Sequence, residues 1–492
     1  MSPVFPSKPV GEHVIKSSLT DVYSPKVWVM QTHFWSCEST ASFEEAYTAL
    51  KEGLSRTLSE VPGFAGTAQR ASDDPRDLVV LISSTAQVDF PAIDHTTNAA
   101  IPTYDEIKAA GFPMTALIKP FAPPVTLTAV YEGAPLLALQ FNKLRGGMAL
   151  SFGFSHLLAD ASTIAEVERI WSSHTADASA AIQQRGYKSS GDDEADRLRM
   201  STPTPGTSDG FENPHWKLFR TEASALALPK QPARYEATLE MVRDAKRREA
   251  ASGEAPKDDP KWCMWYFSPA QLARLKVDCS ASLQQGEWIS TMNALIGLFW
   301  SRVSILKRLD PGVHEKSTLM FPMNIRTRLD PPVHAQYIGN AVDILTTDVS
   351  VLDLTDSGKS WAVAARAIRT AVDGWTQEPI ESWMATALRL SNEEALCPNP
   401  LILLNQYNVA FNDYSRSQSN TLDWGQHLGV ADRTRYMKPA GSMKGCATAV
   451  IVFPRLADGG LEVATTCTDD LQSALVKDEV FRKYAELVCA FA

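Results

Sequence analysis

The stretch MALSFGFSHLLADASTIAEVERIW, residues 148–171, constrains the fold more than any other in the chain. Met148, Leu150, Phe152 and Phe154 alternate with Ala149, Ser151, Gly153 and Ser155, the period of a strand with one bulky apolar face and one face of small side chains. After Asp160 the period changes. Ile164, Val167, Ile170 and Trp171 fall on one face of a helix, and Thr163 with Glu166 has the spacing of a capping box at its start. A strand that feeds directly into a helix puts His156 on the turn between them.

Turns at strand ends are where layered α/β proteins present reactive groups, and a histidine with an ordinary pKa of about 6.5 is suited to moving a proton at neutral pH. The same ring would also serve as a core histidine bonded to a backbone carbonyl, and the H-x-x-x-D spacing of His156 and Asp160 does not separate the two. No metal is expected, because no second histidine or acidic cluster accompanies the pair. The chain carries no phosphate-binding P-loop, no H-E-x-x-H and no G-x-G-x-x-G dinucleotide fingerprint.

Elsewhere, β-like runs such as DLVVLIS (77–83), PLLALQF (135–141) and ATAVIVF (447–453) alternate with helical segments such as 42–58 and 291–306. That mixture predicts an α/β protein with helices covering a sheet in each half. At 492 residues the chain exceeds the ~250–300 over which one core keeps growing, so two domains are expected. Between about 176 and 214 the sequence loses its periodicity to Ser, Gly, Asp and Pro, which suggests an inter-domain crossover. The expected division is an N-terminal domain over 1–185 carrying the H-x-x-x-D, a linker over 186–235, and a C-terminal domain over 236–492. A polar stretch at 243–261 reads as a solvated insertion.

Composition removes several classes of function. A net charge of −10 opposes any large electrostatic footprint for nucleic acid or anionic lipid, so neither is expected as a partner. There is no apolar run long enough to span a bilayer and no secretory signal pattern at the N-terminus, so a soluble cytoplasmic protein is expected. The seven cysteines are scattered without a C-x-x-C pair and read as reduced thiols rather than a disulfide framework or zinc ribbon.

Four segments in fixed order together resemble the BAHD acyltransferases, in particular the fungal branch that includes trichothecene acetyltransferases. They are RGGMALSFGFSHLLADAS (145–162), MNIRTRLDPPVHAQYIGNAV (323–342), TLDWGQHLG (421–429) and VFPRLADGGLEV (452–463), and the likeness spans nearly the whole chain. The resemblance implies two chloramphenicol-acetyltransferase-like domains, each a mixed β-sheet flanked by helices, with a tunnel at their interface. It also implies that His156, reached from both tunnel mouths, takes the proton of an acceptor hydroxyl or amine as that group attacks an acyl-CoA thioester. His156 would then protonate the leaving thiolate, the acyl group moving directly to the acceptor. Acyl-CoA would be a co-substrate, with no permanently bound cofactor. By the same analogy the acceptor would be a small specialised metabolite, the acyl group short, acetyl foremost, and the enzyme a monomer.

On this resemblance Asp160 points away from the substrate and pairs with Arg326, holding the turn rather than relaying charge. Leaving one partner of such a buried pair alone costs ~3–5 kcal/mol. Asp423 and Gly425 match a structural motif remote from the reacting carbon, with Trp424 standing where the family usually has Phe, and His427 is read as part of that loop. Ser290 and Thr291 resemble a helix start lining the CoA tunnel, although an ordinary N-cap explains them equally well. Arg433, Arg435 and Lys438 follow the D-W-G closely and are assigned to the CoA phosphates, with plain solvated charge as the alternative. Ala161 departs from the usual Gly after the Asp and fits only if that residue is already helical. Two other readings stand beside acyl transfer: a CoA-independent cyclase or rearrangement catalyst on the same fold, and a non-catalytic binding protein.

Overall fold

The computed structural model describes residues 2–37, 40–72, 74, 77–114, 118–123, 132–178, 192–208, 216–219, 260–356, 358, 360–390, 395–398, 403, 405–437 and 446–491. Most of the expected 186–235 crossover, residues 243–259 of the polar stretch, and Lys438 lie outside them. In chain order the strands that matter here are β1 (Trp28–Ser36), β2 (Ala92–Asp94), β3 (Leu137–Leu144), β4 (Gly147–Ser155), β5 (Lys261–Phe267), β6 (Lys316–Asn324), β7 (Val342–Ser350), β8 (Val409–Asp413), β9 (Arg433–Met437), β10 (Thr448–Val452), β11 (Leu461–Cys467) and β12 (Glu486–Phe491). The helices are α1 (Leu19–Tyr23), α2 (Thr40–Glu60), α3 (Ala161–Ala176), α4 (Asp192–Arg199), α5 (Thr291–Leu306) and α6 (Ser360–Gly374).

Two mixed sheets organise these elements. The first runs β9-β1-β4-β3-β2 and the second β7-β6-β8-β10-β11-β5-β12. The alternating run of the sequence is β4, buried along its whole length and paired antiparallel with β1 and β3. Its bulky face meets the helices: Phe152 lies against Trp171 of α3 and Phe154 edge-on to Phe64. From β3, Phe141 stacks on Phe43 of α2. In the second sheet Phe267 of β5 packs against Phe299 of α5, and α5 lies on α6. Those two helices approach backbone to backbone at Gly297, where a Cβ would stand 2.5 Å from the Trp361 carbonyl oxygen.

Two local expectations are corrected. α3 begins a turn earlier than the Thr163/Glu166 spacing suggests: Asp160 is its N-cap, accepting from the Thr163 N–H at 2.9 Å, and Glu166 instead pairs with Arg169 at 2.7 Å. Ala161 is therefore the first helical residue, where a methyl group is no burden. Strand β9 lies in sequence within the expected second domain but pairs antiparallel with β1, His33 opposite Thr434 and Thr32 opposite Arg435. The anchor is hydrophobic: Trp424, just before β9, is fully buried against Trp35, Trp171 and His33 of the first half. Among the described residues no helix is long and apolar enough to cross a membrane.

Candidate active site

β4 ends at Ser155, and the His156 N–H donates to the Val27 carbonyl at 2.9 Å, which fixes the start of the turn. The half-buried imidazole reaches across the molecule. Its Nδ1 lies 3.0 Å from Oδ1 of Asn340, which immediately precedes Ala341 and β7.

The amide orientation of Asn340 decides the tautomer of that ring. Asn340 Nδ2 stands 2.9 Å from the backbone oxygen of His156, and a carbonyl oxygen can only accept, so this end of the amide must be the donor. The same nitrogen donates to Asp21 Oδ1 at 2.8 Å. Oδ1 of Asn340 therefore faces the ring as an acceptor, Nδ1 carries the hydrogen, and the neutral imidazole has its lone pair at Nε2. Asp21 is itself fully buried on α1. Its Oδ1 also accepts the Asn340 N–H at 2.8 Å, and its Oδ2 accepts from the Ser18 N–H and hydroxyl at 2.9 and 2.8 Å.

Where the turn ends, at the N-cap of α3, Asp160 and Arg326 meet as a bidentate pair, Nη1 to Oδ2 at 2.7 Å and Nη2 to Oδ1 at 3.1 Å, both buried. Asp160 also accepts the Ala341 N–H at 2.9 Å, while Arg326 Nη2 donates to the carbonyls of Tyr337 and Gly339 at 3.1 and 3.0 Å. Burial alone would raise the Asp160 carboxyl, but the Arg326 charge, its hydrogen bonds and the two backbone N–H groups outweigh burial and hold the carboxyl below the usual carboxylate range. The pair thus clamps the segment 337–341 from which Asn340 reaches His156. Asn324, two residues before Arg326, receives the Arg326 N–H at 3.0 Å and donates to Ser162 at 2.9 Å, tying the same strand end to α3.

The remaining sequence candidates are dispersed. Asp423 accepts the Gly425 N–H at 2.9 Å, and Gly425, at φ +89°, sits so close to Ala176 that a Cβ would stand 2.6 Å from its Cα. Ala176 ends α3, so this loop docks about 24 Å along the helix from the end that carries Asp160, at 1.5 Å per residue. His427 is partly exposed beside Glu45. Ser290 is the N-cap of α5 in a capping box with Asn293, and Thr291 is the first helical residue.

Arg435 overturns the phosphate assignment made for it. It is fully buried, paired with Glu462 at 2.7 Å, and donates to the carbonyls of Phe112 and Gly111 at 2.9 Å each. Arg433, two residues earlier on the same face of β9, is more open, 28% exposed and 3.8 Å from the same Glu462.

Sequence reasoning missed Asn340 and Asp21. Asn340 stands in the quoted YIGNAV, and Asp21 shows as the fourth residue of an S-x-x-D cap, but neither signal says that the two meet at His156.

Known proteins bear on this arrangement. The family model described as the Transferase family matches residues 2–470. The acyltransferase clz6 of Cochliobolus lunatus is 36% identical over 99% of this chain and 98% of its own length. The acyltransferase M4 of a Phoma species is 34% identical over 99% and 98%. Among solved structures, F. graminearum TRI101 complexed with coenzyme A and T-2 mycotoxin superposes with a TM-score of 0.75 at 15% identity, covering 97% of this chain and 100% of that one. Vinorine synthase superposes at 0.60 and 15% identity over 96% and 95%.

Proposed function

Because the chain belongs to the Transferase family, as a fungal acyltransferase of the BAHD type, we propose that it moves a short acyl group, acetyl foremost, from acyl-CoA to a hydroxyl of a specialised metabolite, with His156 as general base. The observation that carries the reading is the orientation of Asn340, which leaves the His156 lone pair at Nε2. A base needs its basic nitrogen toward the reacting proton and its other nitrogen held by an acceptor. Coenzyme A in the TRI101 complexes supports acyl-CoA as the donor.

In this mechanism the acceptor O–H is held at His156 Nε2 and its oxygen attacks the thioester carbonyl as the proton passes to the ring. The tetrahedral oxyanion collapses, the C–S bond breaks, and the imidazolium returns the proton to the departing CoA thiolate. The ester leaves, His156 is neutral again, and no acyl-enzyme forms. Asn340 accepts from Nδ1–H throughout and so supports the imidazolium; Asp160 and Arg326 hold the loop that carries Asn340. Ser290, Thr291 and Arg433 are assigned to the path of CoA.

The test is thiol release from acetyl-CoA with pooled candidate alcohols, wild type against His156→Ala. General-base catalysis is worth ~10²–10⁴ in rate, so the variant should lose at least a hundredfold while binding CoA as before. Thiol release that survives His156→Ala would remove His156 as the base, turnover that proceeds without CoA would put the cyclase alternative in place of this reading, and absence of both in wild type would leave the binding protein.

A further inference from the structure

Helix α4 is the one described helix of the crossover, and it sends a side chain into the network behind His156. Arg197 Nη1 stands 2.7 Å from Asp21 Oδ2, and Nη2 donates at 2.7 Å to the carbonyl of Ile338, two residues before Asn340. Its guanidinium lies 5.4 Å from the Tyr337 ring centroid, with that of Arg326 at 5.7 Å from the same ring. The two arginines thus grip one short segment: Arg326 takes the carbonyls of Tyr337 and Gly339, and Arg197 takes the one between.

We infer that Arg197, contributed by the crossover rather than by either sheet, is a positioning residue for His156, acting through Asp21 and Asn340. The inference rests on the reading of His156 as the base. The Asp21 carboxylate has no contact with water, so its charge must be balanced inside the protein. Of the neighbouring cations, Arg326 is taken by Asp160, and Lys26 has its Nζ spent on the carbonyls of Asp21, Val22 and Ser24 and is pushed by burial down to about 7 despite Asp21. Arg197 carries a charge that does not titrate near neutrality.

The consequence reaches the ring through the amide. With Asp21 held by Arg197, Asn340 has acceptors for both N–H directions, Asp21 Oδ1 and the His156 carbonyl, and Oδ1 is left for His156. If Asp21 loses Arg197, its carboxylate is no longer held against Asn340 and the amide keeps one held acceptor, the His156 carbonyl, so that preference weakens and the amide can turn over. A turned amide presents Nδ2 to Nδ1, which must then accept, and the proton moves to Nε2. That tautomer cannot take a proton from an acceptor hydroxyl.

The experiment uses the full-length protein labelled with 15N-histidine and long-range 1H–15N spectra, the His156 signals being identified among the nine histidines by their loss in His156→Ala. In wild type, Nδ1 should be protonated and Nε2 bare. Arg197→Met should show a protonated Nε2 and lose about tenfold or more in kcat, with KM for the acyl donor within about twofold. Arg197→Gln, which can still donate to Asp21 but carries no charge, should show the same loss and serves if the Met variant does not fold. Arg197→Lys should keep the wild-type tautomer and most of kcat.

Arg199→Gln is the control for a merely structural role. It cuts another anchor of α4, the 2.6 Å pair with Glu381, and should lower Tm without moving the tautomer or kcat. A wild-type tautomer and kcat in both neutral Arg197 variants would overturn the inference, as would an equal loss in Arg199→Gln. The spectra need no substrate, so failure of wild type to release thiol would refute acyl transfer while leaving the relay separately decided.

Discussion

Asp160 supports more of the arrangement around His156 than its place at a helix N-cap suggests. Its carboxylate caps α3, holds the Ala341 N–H and neutralises Arg326, so a single side chain fixes both ends of the contact between turn and loop. Asp160→Asn keeps the shape but removes the charge and one acceptor, stranding a buried guanidinium. We expect a loss of ~3–5 kcal/mol in unfolding free energy and a fall in kcat larger than any change in KM. Urea unfolding and steady-state kinetics on the same preparation check it, and a variant of wild-type stability would remove the clamp from the account. The pairing of Asp160 with Arg326 was legible because each sits in a recognisable local motif. Asn340 was not: it meets His156 across 184 residues of chain and Asp21 across 319, and nothing in the local pattern around any of the three records the meeting. Arg435 was misread for the same reason, since a local run of basic residues does not reveal that Glu462 lies beneath one of them.

At the scale of elements, α3 joins the site to the rest of the first half. Asp160 caps its start, the D-W-G loop docks on its end, and between them Glu168 faces inward, fully buried, accepting from the Ser419 hydroxyl. The ring facing it, His33, is itself pushed down to about 3 by burial and stays neutral. Burial raises Glu168 from 4.5 to about 8, more than the Ser419 and Gln31 hydrogen bonds lower it. A carboxyl raised in the folded state contributes stability that is fully present below pH 4.5 and is lost as pH rises through about 8, because the unfolded chain ionises first. Glu168→Gln keeps the neutral shape and has nothing to ionise. Its stability relative to wild type should therefore be level near pH 4 and improve by up to about 1.4 kcal/mol per pH unit toward pH 8. Thermal melts of both proteins across that range decide the matter: a difference that stays flat with pH would mean that Glu168 is ionised in the fold. The strand–turn–helix order of this region could be read from the change of period after Asp160, but a buried glutamate on a helix of ordinary composition leaves no trace in the sequence.

For the whole molecule, the alternation of β-like and helical segments was enough to predict two sheets under helices, and the sheets are there. How they join was not legible, because β9 and β1 are separated by some four hundred residues and strand periodicity says nothing about which sheet a strand enters. The join is electrostatic as well as hydrophobic: Arg435 on β9 of the first sheet pairs with Glu462 on β11 of the second, and also holds the carbonyls of Gly111 and Phe112. If this pair fastens the two halves, Arg435→Met leaves buried Glu462 with Arg433 at 3.8 Å in place of a close partner and should cost ~3 kcal/mol, with part of the loss recovered in Arg435→Met/Glu462→Gln. Neither change should move KM for acyl-CoA, because no atom of Arg435 is open to a phosphate. A phosphate ligand would behave in the opposite way, raising KM for acyl-CoA with little effect on stability and showing no rescue by the second substitution. Measuring both quantities on the single and double variants separates a fastener of the fold from a contact with the substrate, and a raised KM at unchanged stability would return Arg435 to the CoA site.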